Sequence, residues 1–340
     1  MKLLKTSVPL WLVLIIVTGL GAGSIFSICA FKGRNSEIIN SGSNSTNNYC
    51  GIINYNSSRH GAFTRPLIMA ESPNESVELF DLKSNFTEAI NAASASGSVS
   101  SASIYFRDLN SGKWISINGN EQYSMASIMK LVAMMYHLRV DEVKPGWLNQ
   151  KILVQKSLIV DNIQTQEGPE LVLGKAYTIK ELIIYMIKYS NNNATAHLNS
   201  FIDFNDYKLF FSDIGLPLPD PKAIDYTLTS GQCSRFLQEL YNSSVLTNKN
   251  SEFALSLLTE SVYRGGLLRN IADKDIKVAH KFGERLYPNS CQIHETAIFY
   301  TNEKPFLITV LTNGSDTAQE ATLIGKIGSI AADYSKNKLN

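Results

Sequence analysis

A serine with a lysine three residues on supplies the first chemistry. Tyr123-Ser124-Met125-Ala126-Ser127-Ile128-Met129-Lys130 opens an apolar helix, carried on by Leu131, Val132, Met134, Met135 and Leu138 and ended by Pro145-Gly146. Residues i and i+3 share a helix face, so the Lys130 ammonium can approach the Ser127 hydroxyl. A helix N-terminus presents free N–H groups and partial positive charge, which suits an oxyanion formed at an acyl group on Ser127. A serine hydroxyl is a weak nucleophile and needs a base. Lys130 serves as that base if desolvation and a second cation lower its pKa. The pair alone is a weak signal. It recurs at Ser335 and Lys338 near the C-terminus, and a helix-capping serine with a solvated lysine is its ordinary meaning.

Two further elements add to it. Thr178-Ile179-Lys180-Glu181 is a capping box that starts a helix through Leu182, Ile183, Met186 and Ile187. That helix runs into Tyr189-Ser190-Asn191-Asn192-Asn193. The polar run either lines a cleft, with Ser190 relaying a proton and Asn192 holding a substrate amide, or simply caps a helix junction. In Val278-Ala279-His280-Lys281-Phe282-Gly283-Glu284, Lys281 is the candidate second cation. Gly283 lets substrate approach the backbone closely. An edge-strand lysine that discourages aggregation is the alternative.

These residues need a scaffold. Leu79, Leu82, Phe86 and Ile90 predict a helix over 76–95. Alternation predicts strands at 103–109 and 113–118, joined by the turn residues Asn110-Ser111-Gly112. A mostly helical stretch then runs to about 274. Strand-like runs follow at 278–283, 294–300 and 306–312, and a helix at 316–335. This order predicts an α+β fold: a five-stranded antiparallel sheet flanked by N- and C-terminal helices, with a large helical insertion.

The 340 residues are 44% apolar and 18% charged, which suits a packed globule. A net charge of +1 argues against a nucleic-acid binder. Cys29, Cys50, Cys233 and Cys291 form no CxxC pair, which argues against a zinc ribbon. In an oxidising compartment Cys50 can pair with Cys233 or Cys291, and the sequence does not choose. The spacing of His60, His137, His197, His280 and His294 resembles no metal site, so no metal or cofactor is expected. An apolar stretch from Ser7 to Phe31, flanked by Lys2, Lys5, Lys32 and Arg34, would span roughly 35 Å as a helix. Residues 1–34 are therefore expected to form a membrane anchor, with a cleaved signal near Ala22-Gly23-Ser24 as the rival. The Asn-, Ser- and Gly-rich segment 35–65 is expected to be a disordered linker, and 66–340 the folded domain, with a helical subdomain over about 127–275.

Ser-x-x-Lys, then Ser-x-Asn, then Lys-x-Gly, in this order, resembles the signature set of class A β-lactamase-like serine hydrolases and penicillin-binding proteins. The resemblance covers about residues 66–335. It implies the β-lactamase/transpeptidase-like fold, Ser127 as acylated nucleophile and Lys130 as its base. It places Ser190 and Asn192 in the second motif and Lys281 and Gly283 in the third. The backbone N–H groups of Ser127 and Glu284 would form the oxyanion hole. Three departures stand out. Asn191 replaces the motif's aspartate. Phe282 replaces the hydroxyl residue that in the family helps bind a substrate carboxylate. Residues 203–230 hold no glutamate to deacylate the enzyme, so the acyl-enzyme is expected to persist unless Asp220 or Asp225 activates water. The expected function is an extracytoplasmic serine hydrolase, membrane-anchored or secreted after signal cleavage, acting through an acyl-enzyme on β-lactam or related amide and ester substrates. Peptidoglycan-derived molecules are the other expected partners. A penicillin-binding protein-like D,D-peptidase or acyltransferase is one alternative. A non-catalytic module that binds cell wall or a protein is the other.

Overall fold

The computed structural model describes residues 61–65, 72–97, 99–158, 168–220, 222–223, 225–273, 276–301 and 305–337. Its centre is a five-stranded antiparallel sheet in the order β2-β1-β9-β8-β7. The strands are β1 (Val99–Asp108), β2 (Trp114–Ile117), β7 (Lys277–Tyr287), β8 (Ser290–Tyr300) and β9 (Phe306–Gly314). The helix α1 (Phe80–Ala95), entered through a short 3₁₀ turn at Val77–Leu79, and the C-terminal helix α8 (Thr317–Asn337) cover one face. There Leu82, Phe86 and Ile90 pack with Ile324 and Ile327 against Phe106, Ile308 and Val310 of the strands. Neighbouring strand residues point to the opposite face, where Tyr105, Leu307 and Leu311 meet the helical insertion. With both faces covered, β9 is buried along almost its whole length rather than on alternate residues.

The insertion holds α2 (Lys130–Val143), α3 (Ile179–Lys188), α4 (Asn192–Asn199), α5 (Phe204–Asp213), α6 (Ser230–Asn242) and α7 (Asn248–Thr259). Two small ribbons join them, β3 (Tyr123–Ser124) with β6 (Thr227–Leu228) and β4 (Lys151–Leu153) with β5 (Ala176–Thr178). The α2 helix is buried on all sides from Lys130 to Leu138. It is the axis of the insertion, and a lysine at its first position lies inside the protein.

The strands β7 and β8 run past the expected limits of 283 and 294. They pair continuously from Lys277↔Tyr300 to Tyr287↔Ser290. Glu284, Arg285 and Gln292 interrupt the apolar pattern there, because this end of the ribbon borders a polar cleft.

Residues 61–65 fall in the segment expected as linker, yet they are bound to the folded body. Glu252 of α7 accepts hydrogen bonds from Phe63 N (2.9 Å), Thr64 N (2.7 Å) and Thr64 Oγ1 (2.7 Å). Thr64 is fully buried, and Phe63 packs edge-on to Tyr300 at 5.2 Å. The ordered chain thus begins on the N-terminal side of residue 66. Cys233 and Cys291 are buried free thiols, and Cys50 lies outside the described residues. The expected anchor, 1–34, also lies outside them. Among the described residues no helix is long and apolar enough to cross a membrane.

Glu252→Ala removes the carboxylate that satisfies both backbone N–H groups of this strap. Stability should fall by roughly 2 kcal/mol, read as a lowered denaturant midpoint at unchanged slope. A chain starting at residue 66 should lose a similar amount.

Candidate active site

The segment leading to Ser127 is fixed on two sides. The β3–β6 ribbon ends at Ser124, and Met125 N donates to Tyr226 O at 2.9 Å. Ala126 then adopts a left-handed φ of 44°, and a 3₁₀ turn at Ala126–Met129 feeds α2. Ser127 therefore stands on the first turn, at the wall of an open cleft of about 490 Å³. Lys130, Ser190, Asn192, Phe282 and Glu284 line the same cleft. The structure thus brings most of the expected site residues together.

Lys130 is 5% exposed. Its Nζ donates to Ser190 O (2.6 Å), Ser190 Oγ (3.0 Å) and Asn192 Oδ1 (2.7 Å). Three acceptors match the three protons of an ammonium. No carboxylate touches it, and burial lowers its pKa to about 7. The Ser127 hydroxyl has no hydrogen-bond partner among the described residues, so Lys130 is held by the second motif and not by the serine three residues before it. Ser127 Oγ is left to turn towards the cleft.

Lys281 is fully buried on β7. Its Nζ donates to the same Ser190 Oγ at 3.0 Å and to Phe282 O at 2.8 Å. Burial, with the nearby Lys130 charge, holds its pKa well below the ordinary lysine value, and Glu295 opposes the shift. Ser190 Oγ therefore joins the two lysines. A hydroxyl has two lone pairs and one proton. With both lone pairs engaged, its proton is the part left to give away. Ser190 holds a left-handed φ of 53° to reach this place. Asn191, next in the chain, caps α4 by accepting from Ala194 N at 2.8 Å. The change from the motif's aspartate thus leaves the capping acceptor in place, while Asn191 Nδ2 is buried without a partner.

Gly283 sets the width of the cleft. A Cβ there would lie 3.1 Å from Met125 O and 3.3 Å from Ile128 N. A larger residue would press β7 and the nucleophile turn apart by a few tenths of an ångström. The approach puts Glu284 on the same cleft as Ser127. Phe282 lies flat against Tyr263, with ring centroids 4.0 Å apart and planes 15° apart. The Lys281 Nζ is 4.3 Å from the Phe282 ring centroid, within cation–π range.

The two aspartates considered for water activation are occupied elsewhere. Asp225 pairs with Arg285 Nη2 at 3.0 Å and accepts from Tyr287 Oη at 2.8 Å. Asp220 accepts from Lys222 N at 2.9 Å. Neither lines the cleft, and among the described residues the one carboxylate that does is Glu284. Sequence reasoning missed Thr195, Asn199, Arg285, Leu286 and Tyr263. Thr195 and Asn199 follow Asn192 at helical spacing on α4, a signal that was available. Tyr263 reaches Phe282 from 19 residues away with no local pattern to announce it. His280 pairs with buried Glu295 at 2.6 Å, and His60 lies outside the described residues.

A fold of this topology, with a serine at the start of a buried helix and two lysines joined through a second serine, defines the serine β-lactamase and penicillin-binding protein class. The sequence profile of the β-lactamase enzyme family matches residues 85–335, and the chain belongs to that family. Solved structures share the fold at low identity. A β-lactamase from Sphaerobacter thermophilus DSM 20745 is 17% identical over 74% of this chain and 97% of its own, with a TM-score of 0.63. A mutant of PBP-A, in an acyl-enzyme complex with penicillin G, is 15% identical over 75% and 97%, with a TM-score of 0.62. A class A β-lactamase from Mycobacterium abscessus is 19% identical over 74% and 99%, with a TM-score of 0.61.

A base with a pKa of about 7 works only when neutral. Acylation rate should therefore rise about tenfold per pH unit below that value and level off above it. Lys130→Arg, which stays charged throughout, should lose at least about a hundredfold at every pH. A parent profile flat from pH 5 to 9 would remove Lys130 from this role.

Proposed function

We propose that this chain is a serine acyl hydrolase or acyltransferase in which Ser127 carries the acyl group, with amide, ester or β-lactam carbonyls as substrates. The observation that carries this reading is the buried Lys130, bonded to Ser190 Oγ and Asn192 beside the unpartnered Ser127 hydroxyl. Neutral Lys130 takes the Ser127 proton as Oγ forms a bond to the carbonyl carbon. The N–H groups of Ser127 and Glu284 hold the oxyanion. As the intermediate collapses, the bond to the leaving nitrogen or oxygen breaks. Ser190 gives that atom a proton and is reprotonated by a lysine at its back.

Release of the acyl group needs an acceptor and a base. Glu284 sits on the oxyanion side of the cleft, and Asp225 is tied to Arg285 and Tyr287. That arrangement favours slow hydrolysis. It supports a second reading, transfer to an acceptor amine as in a penicillin-binding protein-like D,D-peptidase or acyltransferase. The apolar stretch from Ser7 to Phe31 supports work outside the cytoplasm, tethered to a membrane or secreted after cleavage. A module that only binds would have no use for a near-neutral buried lysine.

Incubation with millimolar p-nitrophenyl phenylacetate and, separately, benzylpenicillin, followed by intact mass, tests this. The expected result is an adduct on the parent that outlasts removal of the free compound and is absent from Ser127→Ala. If neither compound marks Ser127, the reading is wrong.

A further inference from the structure

The strand β7 is an open edge of the sheet, and its end forms one wall of the cleft. Alternation sets Phe282, Glu284 and Leu286 on one face of it. All three line the cleft. Phe282 is 5% exposed, and the little of its ring that reaches the cleft, backed by Tyr263, is aromatic carbon with no donor. The Glu284 carboxylate is half-buried and makes no ion pair or hydrogen bond among the described residues. Leu286 is 49% exposed. An anion laid along this wall meets an aromatic ring, a like charge and an aliphatic chain.

The cations nearby do not offset this. Arg285 also reaches the cleft, but its guanidinium is matched by Asp225 at 3.0 Å. Lys281 is fully buried behind Ser190, and Lys130 is closed in by Ser190 and Asn192. The unmatched charge at the mouth of the wall is thus negative.

Resting on the Ser127 acyl-enzyme reading, we infer that the β7 wall selects acyl donors that are neutral or cationic, with an apolar or aromatic body for Phe282 and an amine for Glu284. Donors with a carboxylate at that place are disfavoured. Glu284 thus determines specificity through its side chain, apart from the work of its backbone N–H. The preference is electrostatic, so it weakens with ionic strength.

Three p-nitrophenyl esters of phenylacetic acid test it, with aminomethyl, methyl or carboxymethyl at the ring's 4-position. They share a leaving group and hold the charge away from the carbonyl. Second-order acylation rates would be measured on the full chain at low and high salt, with intact mass locating the adduct. The ammonium ester should exceed the carboxylate ester by about tenfold at low salt, less at 1 M. Glu284→Gln should bring the ratio near one, and Glu284→Lys should invert it. Arg285→Gln should leave the carboxylate ester the slowest of the three. A carboxylate ester that is fastest in the parent, and loses that lead in Arg285→Gln, would overturn the inference and make Arg285 an anion anchor. A cationic preference that Glu284→Gln does not change would overturn it too. The neutral ester separates the two claims. If it marks Ser127, the acyl-enzyme reading stands whatever the charge series gives. If no ester marks Ser127, both fall together.

Discussion

Everything at this site depends on a lysine ammonium held inside the protein without a carboxylate in contact. Burying such a charge costs several kcal/mol unless hydrogen bonds replace its water. Lys130 finds those bonds on one short loop, at Ser190 O, Ser190 Oγ and Asn192 Oδ1. The remaining cost appears as a pKa lowered to about 7. A group that would be an inert cation at the surface becomes a base at neutral pH. The loop bears part of this. Ser190 takes a left-handed φ of 53°, a strain of about 1–3 kcal/mol for a non-glycine residue. The capping Asn191 and the capping box at Thr178 secure the helices on either side.

The rest of the fold reads as support for that arrangement. The α2 helix is buried all round, so its first residue cannot reach water. The sheet brings up Lys281, whose bond to Ser190 Oγ fixes the hydroxyl from behind. Gly283 lets β7 pack close against the nucleophile turn, where a Cβ would be crowded by Met125 and Ile128. The β3–β6 ribbon and the Asp225 bonds to Arg285 and Tyr287 tie the approach to Ser127 to the far end of β7. Both walls of the cleft are thereby referred to one another. Asp225, one of the two aspartates considered for water activation, is used as this brace.

The terminal helices, the order of the strands and the three motifs were legible because each rests on short-range pattern. Leu79, Leu82, Phe86 and Ile90 lie on one helical stripe, and the Thr178 capping box is a four-residue signal. What stayed hidden comes from contacts far apart in the chain. Residues 61–65 carry no local pattern of their own, and contacts far along the chain, with Glu252, 188 residues from Thr64, and with Tyr300, make them part of the fold. The far half of β7 was illegible because its side chains serve a cleft and not a core. Phe282 was visible as a departure from the motif, but its partner Tyr263 was not. Helix geometry alone placed Lys130 near Ser127, and both line the one cleft, but which atoms hold the ammonium was not legible. A buried ammonium needs three acceptors, and it finds them at Ser190 and Asn192.

The most direct measurement is the titration of the Lys130 side chain itself, by NMR of lysine labelled at Nζ in the full chain. Lys130→Arg identifies the resonance. The account predicts a lysine that loses its proton near pH 7, well below the ordinary lysine value of about 10.4. A Lys130 resonance that stays that of an ammonium up to pH 9 would contradict it.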